Sequence, residues 1–80
     1  MMPIRDVVQV NPEILGGQAI FKGIRVSVET IFNYLGSGES LERFLSEFPS
    51  VSSEKALSVL EIASKMVSNS SFIQLYEAAA

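Results

Sequence analysis

Eighty residues with nine acidic against six basic side chains, a net charge of -3, no cysteine and no histidine restrict what this chain can do. Without thiol or imidazole there is no disulfide, no zinc thiolate site and none of the commonest general bases or nucleophile pairs, so a non-enzymatic chain without cofactor or metal is expected. No run approaches the roughly 20 apolar residues of a membrane span and the N-terminus lacks a signal-peptide core, which predicts a cytoplasmic protein.

The length makes residues 1–80 a single domain, one that buries only about 60 to 65 per cent of its unfolded surface. Apolar residues make up 48% of the chain. A short, marginally stable chain with that much apolar surface is expected to form a homodimer or to hold a protein partner.

Residues 1–6 read as a lead-in. Val7, Val8, Gln9 and Val10 are β-prone and stop at Asn11-Pro12, which predicts one short strand. Pro12 can open a single helical turn through Ile14 and Leu15 before Gly16-Gly17 ends it. Ala19, Ile20 and Phe21 then face Ile24, Arg25 and Val26 across Lys22-Gly23, with glycine where a turn needs positive φ; the expectation is a β-hairpin. Strand and hairpin together occupy residues 7–26. Arms of about three residues are unstable alone, so the hairpin must pack on the helices or pair with another chain.

Residues 27–67 read as three helices. Ser27 is the first N-cap, followed by Val28, Ile31, Phe32 and Leu35 at helical spacing, with Gly36-Ser37-Gly38 as the stop. Tyr34 lies off that stripe. Ser40 caps a second helix with Leu41, Phe44, Leu45 and Phe48, which Pro49 ends. Ser52 caps the third and longest, whose apolar arc joins Ala56, Val59, Leu60, Ile62, Ala63, Met66 and Val67, with Leu57 at its margin. So wide an arc predicts packing on two sides. The polar run at 68–71 breaks the pattern, and Ser71 with Gln74 suits a capping box for a short C-terminal helix over 71–79. Its Phe72, Leu75 and Tyr76 are expected to pack back, within the chain or onto a twin. Two consecutive helices with a tight connection, over 40–67, have the outline of a helix-turn-helix. The fold class is therefore mainly α: a three-to-four-helix core of helix-turn-helix type behind a short N-terminal strand and β-hairpin.

In such a motif the second helix enters the major groove by its N-terminal residues, here Ser53, Glu54, Lys55 and Ser58. Only Lys55 is basic, and phosphate contacts supply most of the affinity for DNA, so a solvated face is the simpler account of the monomer. A dimer could gather Arg43, Lys55 and Lys65 on one face. These five, Arg43, Ser53, Lys55, Ser58 and Lys65, are the candidate DNA contacts. Gly16, Gly17 and Gly23 match no phosphate-binding loop and read as turn glycines. Glu42, Glu47, Glu54 and Glu61 read as solvated helix surface. Arg25 sits among apolar neighbours, where pairing with Glu29 or with carbonyls across a subunit boundary gives it a structural role. The candidate dimer or partner surface comprises Ile20, Phe21, Ile24, Arg25 and Val26 of the hairpin with Phe72, Leu75 and Tyr76 of the last helix.

Residues 11–63 carry a longer pattern. They contain NPEILGGQAIFKGIRVSVETI and then GSGESLERFLSEFPSVSSEKALSVLEIA, placing Pro12, Ile14, Gly16, Gly17, Gly23, Arg25, Val26, Val28, Gly38, Ser40, Phe48, Pro49 and Ser52 at fixed spacing. This resembles the bacterial family called domain of unknown function 433. Two positions differ from its usual pattern: Gln18-Ala19 replaces a Lys-Pro or similar pair after Gly-Gly, and Ile24 replaces the Thr before Arg. The resemblance implies a homeodomain-like helix-turn-helix core and a role as the antitoxin of a toxin-antitoxin pair whose toxin is a PIN-like nuclease. The alternative functions are a dimeric DNA-binding transcriptional regulator that recognises operator DNA and a protein-interaction module of another kind. No membrane and no small-molecule substrate is expected.

Overall fold

The computed structural model describes residues 2–79, with side chains at all of these except 70–72. In chain order it runs α1 (Ile4–Val7), β1 (Val8–Val10), a 3-10 turn (Leu15–Gly17), β2 (Ala19–Phe21), α2 (Val28–Gly36), α3 (Leu41–Glu47), α4 (Ser53–Ser68) and α5 (Ser70–Ala79). The protein is mainly helical with one two-stranded antiparallel sheet.

The helix starts follow from three serines. Ser27 Oγ accepts from the Glu29 amide at 3.1 Å, Ser40 Oγ from Arg43 at 3.0 Å and Ser52 Oγ from Lys55 at 3.1 Å. Each satisfies one of the orphan amides of a first helical turn. The end of α2 is set by Gly38, whose φ of +88° lets its amide reach Leu35 O at 3.1 Å while the Glu39 amide reaches Tyr34 O at 3.0 Å. That pair of bonds is a Schellman motif, which favours glycine at the left-handed position.

The sheet differs from the expected hairpin. β2 pairs with β1, in the register Val8 to Phe21, Gln9 to Ile20 and Val10 to Ala19. The turn at Lys22-Gly23 does form: Gly23 has φ +75°, Ile24 N–H donates to Phe21 O at 2.9 Å and Phe21 N–H to Val26 O at 3.0 Å. Residues 24–26 do not become a strand, because Ser27 must already leave the sheet to cap α2 and touches β2 only through an isolated bridge to Ile20. The open edge of β2 goes to β1 instead. Gln9 Oε1 accepts from the Gly23 amide and the Lys22 amide donates to Val7 O, so the turn is tied to the arriving strand. Val7, expected at the start of the strand, instead ends the helical turn α1, whose other residues were expected as a lead-in, and it is fully buried.

The core takes one or two side chains from each of six segments: Val7, Phe21, Ile31, Phe44, Val51, and Ala56 with Val59. Phe44 stands at its centre of aromatic contact, with ring centroids 6.1 Å from Phe21, 5.6 Å from Tyr34 and 5.1 Å from Phe48. Edge-to-face and offset pairs at these distances add to the burial of the rings. α4 enters this core only by its first half. The expected packing on two sides is incomplete: the core and α1 cover parts of α4, but Leu57, Met66 and Val67 are exposed. An apolar arc marks what a helix can bury, and eighty residues do not supply enough neighbours to bury all of it.

Candidate functional site

The second half of α4 forms one wall of an open apolar groove of about 240 Å³. Ile62, Ala63 and Met66 come from α4, Val28 and Phe32 from α2, Ile4 from α1 and Val8 with Ala19 from the sheet. Among the described residues its lining is wholly apolar, so it is suited to selecting a shape and an apolar surface. The helix α1 shapes it by leaning on α4. Sequence reading missed this site because Ile4 lies in an apparent lead-in and the walls come from four separated segments.

α5 leaves α4 after a single residue, Asn69, whose φ of -76° and ψ of 161° break the helix while its carbonyl already accepts from Ile73 N–H at 3.2 Å. Leu75 and Tyr76 on this helix are 70% and 68% exposed, and Ile73 is exposed too. Of the two packings expected for Leu75 and Tyr76, within the chain or onto a twin, the first does not occur. The side chains of Ser71 and Phe72, and with them the expected capping box and the anchoring of Phe72, lie outside the described residues. The other half of the expected partner surface divides: Ile20 and Phe21 are buried in their own core and have no surface to offer, whereas Ile24 and Val26 are half-buried and Arg25 is exposed. Among the described residues Arg25 makes no ion pair, with Glu29 or with any other carboxylate, because its side chain leaves the turn toward solvent.

The candidate DNA contacts do not form one basic face. Ser58, expected to face the major groove, is buried and cannot reach it. Arg43 is held on α3, where its Nε donates to Glu47 Oε1 at 2.8 Å. Lys55 turns toward the sheet and donates to Lys22 O at 3.3 Å, and Lys65 lies 3.5 Å from Glu61 along α4. Ser53 is exposed at the start of α4.

A second, polar pocket of about 350 Å³ lies between α2 and α3 and includes Tyr34, Glu39, Arg43 and Glu47. Glu47, expected to be plain solvated surface, is the acceptor at its centre, taking the Tyr34 hydroxyl on one oxygen and Arg43 on the other. The Tyr34 hydrogen bond and then Arg43 hold the Glu47 carboxyl below its ordinary value. The same bond to Glu47 raises Tyr34, and Glu47 raises Arg43. Stacked edge-on against Phe44 and Phe48, Tyr34 connects this exposed network to the core. Among the described residues acidic side chains nowhere gather in the threes that hold a metal ion, and no helix is long and apolar enough to cross a membrane.

The chain is similar to proteins from Sinorhizobium fredii and Anabaena variabilis. It is 39% identical over 51 residues to the uncharacterized protein y4eO of Sinorhizobium fredii, a match that covers 64% of this chain and 23% of that one, so the chain spans about a quarter of that relative's length. Its fold superposes on the crystal structure of a DUF433 member protein from Anabaena variabilis with a TM-score of 0.68 at 22% identity, over 78% of this chain and 61% of the other. The model of the protein of unknown function family DUF433 matches residues 8–63, from β1 to the middle of α4. This chain belongs to the DUF433 family.

Proposed function

We propose that this chain is a non-enzymatic binding protein, a homodimer acting as the antitoxin of a toxin-antitoxin pair and neutralising a PIN-like nuclease. The observation that carries this reading is the apolar surface left open: the α4 groove together with Leu75 and Tyr76 on α5, in a chain without imidazole or thiol. Large exposed apolar side chains grouped on one helix are suited to anchoring in a pocket of another protein. The antitoxin role is what the resemblance noted in the sequence implies, and the open apolar surface supports it. Operator binding, through α3 and α4 read as a helix-turn-helix, is assigned to the dimer or the complex, because a lone acidic chain with Ser58 buried and Arg43 engaged offers little to phosphates.

The test is co-expression with the product of the adjacent reading frame. A small PIN-like neighbour that arrests growth alone is expected to be tolerated and co-purified when this chain is present, and to lose both effects with Leu75→Asp and Tyr76→Asp together. Absence of any such neighbour, with steeply salt-dependent binding of the purified chain to its own promoter, transfers the assignment to a transcriptional regulator.

A further inference from the structure

We propose that the α4 groove is the seat of α5 from a second copy of this chain, so that two copies exchange their C-terminal helices. The proposal takes the homodimer of the reading above and names what joins it. Three features of the fold argue for this occupant.

The first is the hinge. Only Asn69 separates α4 from α5, and the first turn of α5 closes directly on its carbonyl. Antiparallel helix hairpins use loops of about 2–5 residues, so α5 cannot reverse onto the groove wall of its own α4 without unwinding helix on one side of the break. A short connection that blocks docking within a chain leaves docking between chains open, which is the usual origin of exchanged helices. The second is size. α5 has ten residues and is about 15 Å long, and the stretch of α4 that lines the groove, from Val59 to Met66, runs about 10 Å. Two turns of one helix therefore cover the wall of the other.

The third is area. Ile4, Phe32, Met66, Val67, Ile73, Leu75 and Tyr76 are all large and exposed in the single chain. At roughly 200 Å² for a fully exposed large residue, their open fractions amount to about 800 Å² of surface per chain. A standard stable interface takes about 800 Å² from each partner, and a two-fold exchange uses groove and helix of both copies at once. Seating one face of α5 in the groove covers Ile4, Phe32 and Met66 and leaves the rest of the exposed apolar side chains to a further partner such as the nuclease.

Light scattering coupled to size exclusion, on the full chain without any nuclease, measures the mass. Wild type is expected at twice 8.7 kDa. Leu75→Asp with Tyr76→Asp, and separately Met66→Asp, are expected to halve it with unchanged circular dichroism, since all three side chains are exposed in the monomer. Because the chain has no cysteine, Tyr76→Cys and Phe32→Cys chains mixed under oxidation report proximity directly, and a disulfide-linked heterodimer is expected in preference to either homodimer. A wild-type monomer at high micromolar concentration overturns the proposal, as does a dimer that survives both sets of aspartates. A single chain carrying both Phe32→Cys and Tyr76→Cys that stays monomeric and links within itself overturns it as well. None of these results depends on the nuclease, so a dimer joined elsewhere refutes the exchange while leaving the antitoxin assignment to its own co-expression test.

Discussion

The Phe21 and Phe44 rings, 6.1 Å apart and tilted by 39°, join the N-terminal sheet to α3 through the fully buried centre of the molecule. Truncating Phe44 to alanine removes that contact along with those to Tyr34 and Phe48. A loss of about 3–5 kcal/mol is expected in chemical denaturation. For a domain of this size that is a large part of its whole stability. A midpoint close to wild type would show that the cavity collapses at no cost and that the aromatic contacts do not organise the core.

Acid should find Glu47. Its folded pKa is depressed, so the unfolded chain takes up the proton first as pH falls; the stabilisation is complete above the ordinary glutamate value and is lost as pH drops through the lower folded one. Thermal midpoints measured from neutral pH downward are expected to fall more steeply for wild type than for Glu47→Gln, with the difference confined to that acidic window. Tyr34 works in the opposite sense. Its pKa is raised, so its contribution is present below the ordinary tyrosine value and disappears as pH climbs through the folded one.

Gly38 and Leu15 offer matched tests of backbone conformation. Both have positive φ, +88° and +49°. A Cβ at Gly38 meets no atom within 4 Å, so Gly38→Ala is a pure conformational penalty, expected to cost about 1–2 kcal/mol through the left-handed position of the Schellman motif.

Leu15 already carries that penalty as a non-glycine residue, in an exposed turn between Ile14 and Gly16. Leu15→Asn, a residue that tolerates the left-handed region, is expected to raise stability by up to about 1 kcal/mol in the same denaturation assay. An unchanged or lowered midpoint would mean that the leucine side chain contributes packing larger than the strain it imposes.

Local chemistry was easy to read in this sequence, and partner choice was not. The caps at Ser27, Ser40 and Ser52 and the turn glycines Gly23 and Gly38 are legible because each acts within a few residues of itself. The strand pairing was misassigned because Ala19–Phe21 has two β-prone neighbours, and only the need for Ser27 to cap α2 decides between them. Ser58 escaped because a hydroxyl weighs as polar in any periodicity, although a side chain so small is readily enclosed. Of the site, Leu75 and Tyr76 were visible as apolar residues in a polar tail. The groove was not, since no pattern along the chain tells which of Ile4, Val8, Phe32 and Met66 will meet.

The docking of α1 on α4 brings the two ends of the described chain's longest loop together, whereas α2 with α3 and β1 with β2 join nearby segments. Local pieces can assemble early, but this closure must be made against the entropy of nearly the whole chain, so it should come late on the folding route. Val7, buried at the junction, is then a reporter of the return journey: Val7→Ala is expected to speed unfolding several-fold in stopped-flow denaturation while the refolding rate barely changes. The first turn of the protein thereby acts as a latch on its lifetime rather than as a seed of its structure.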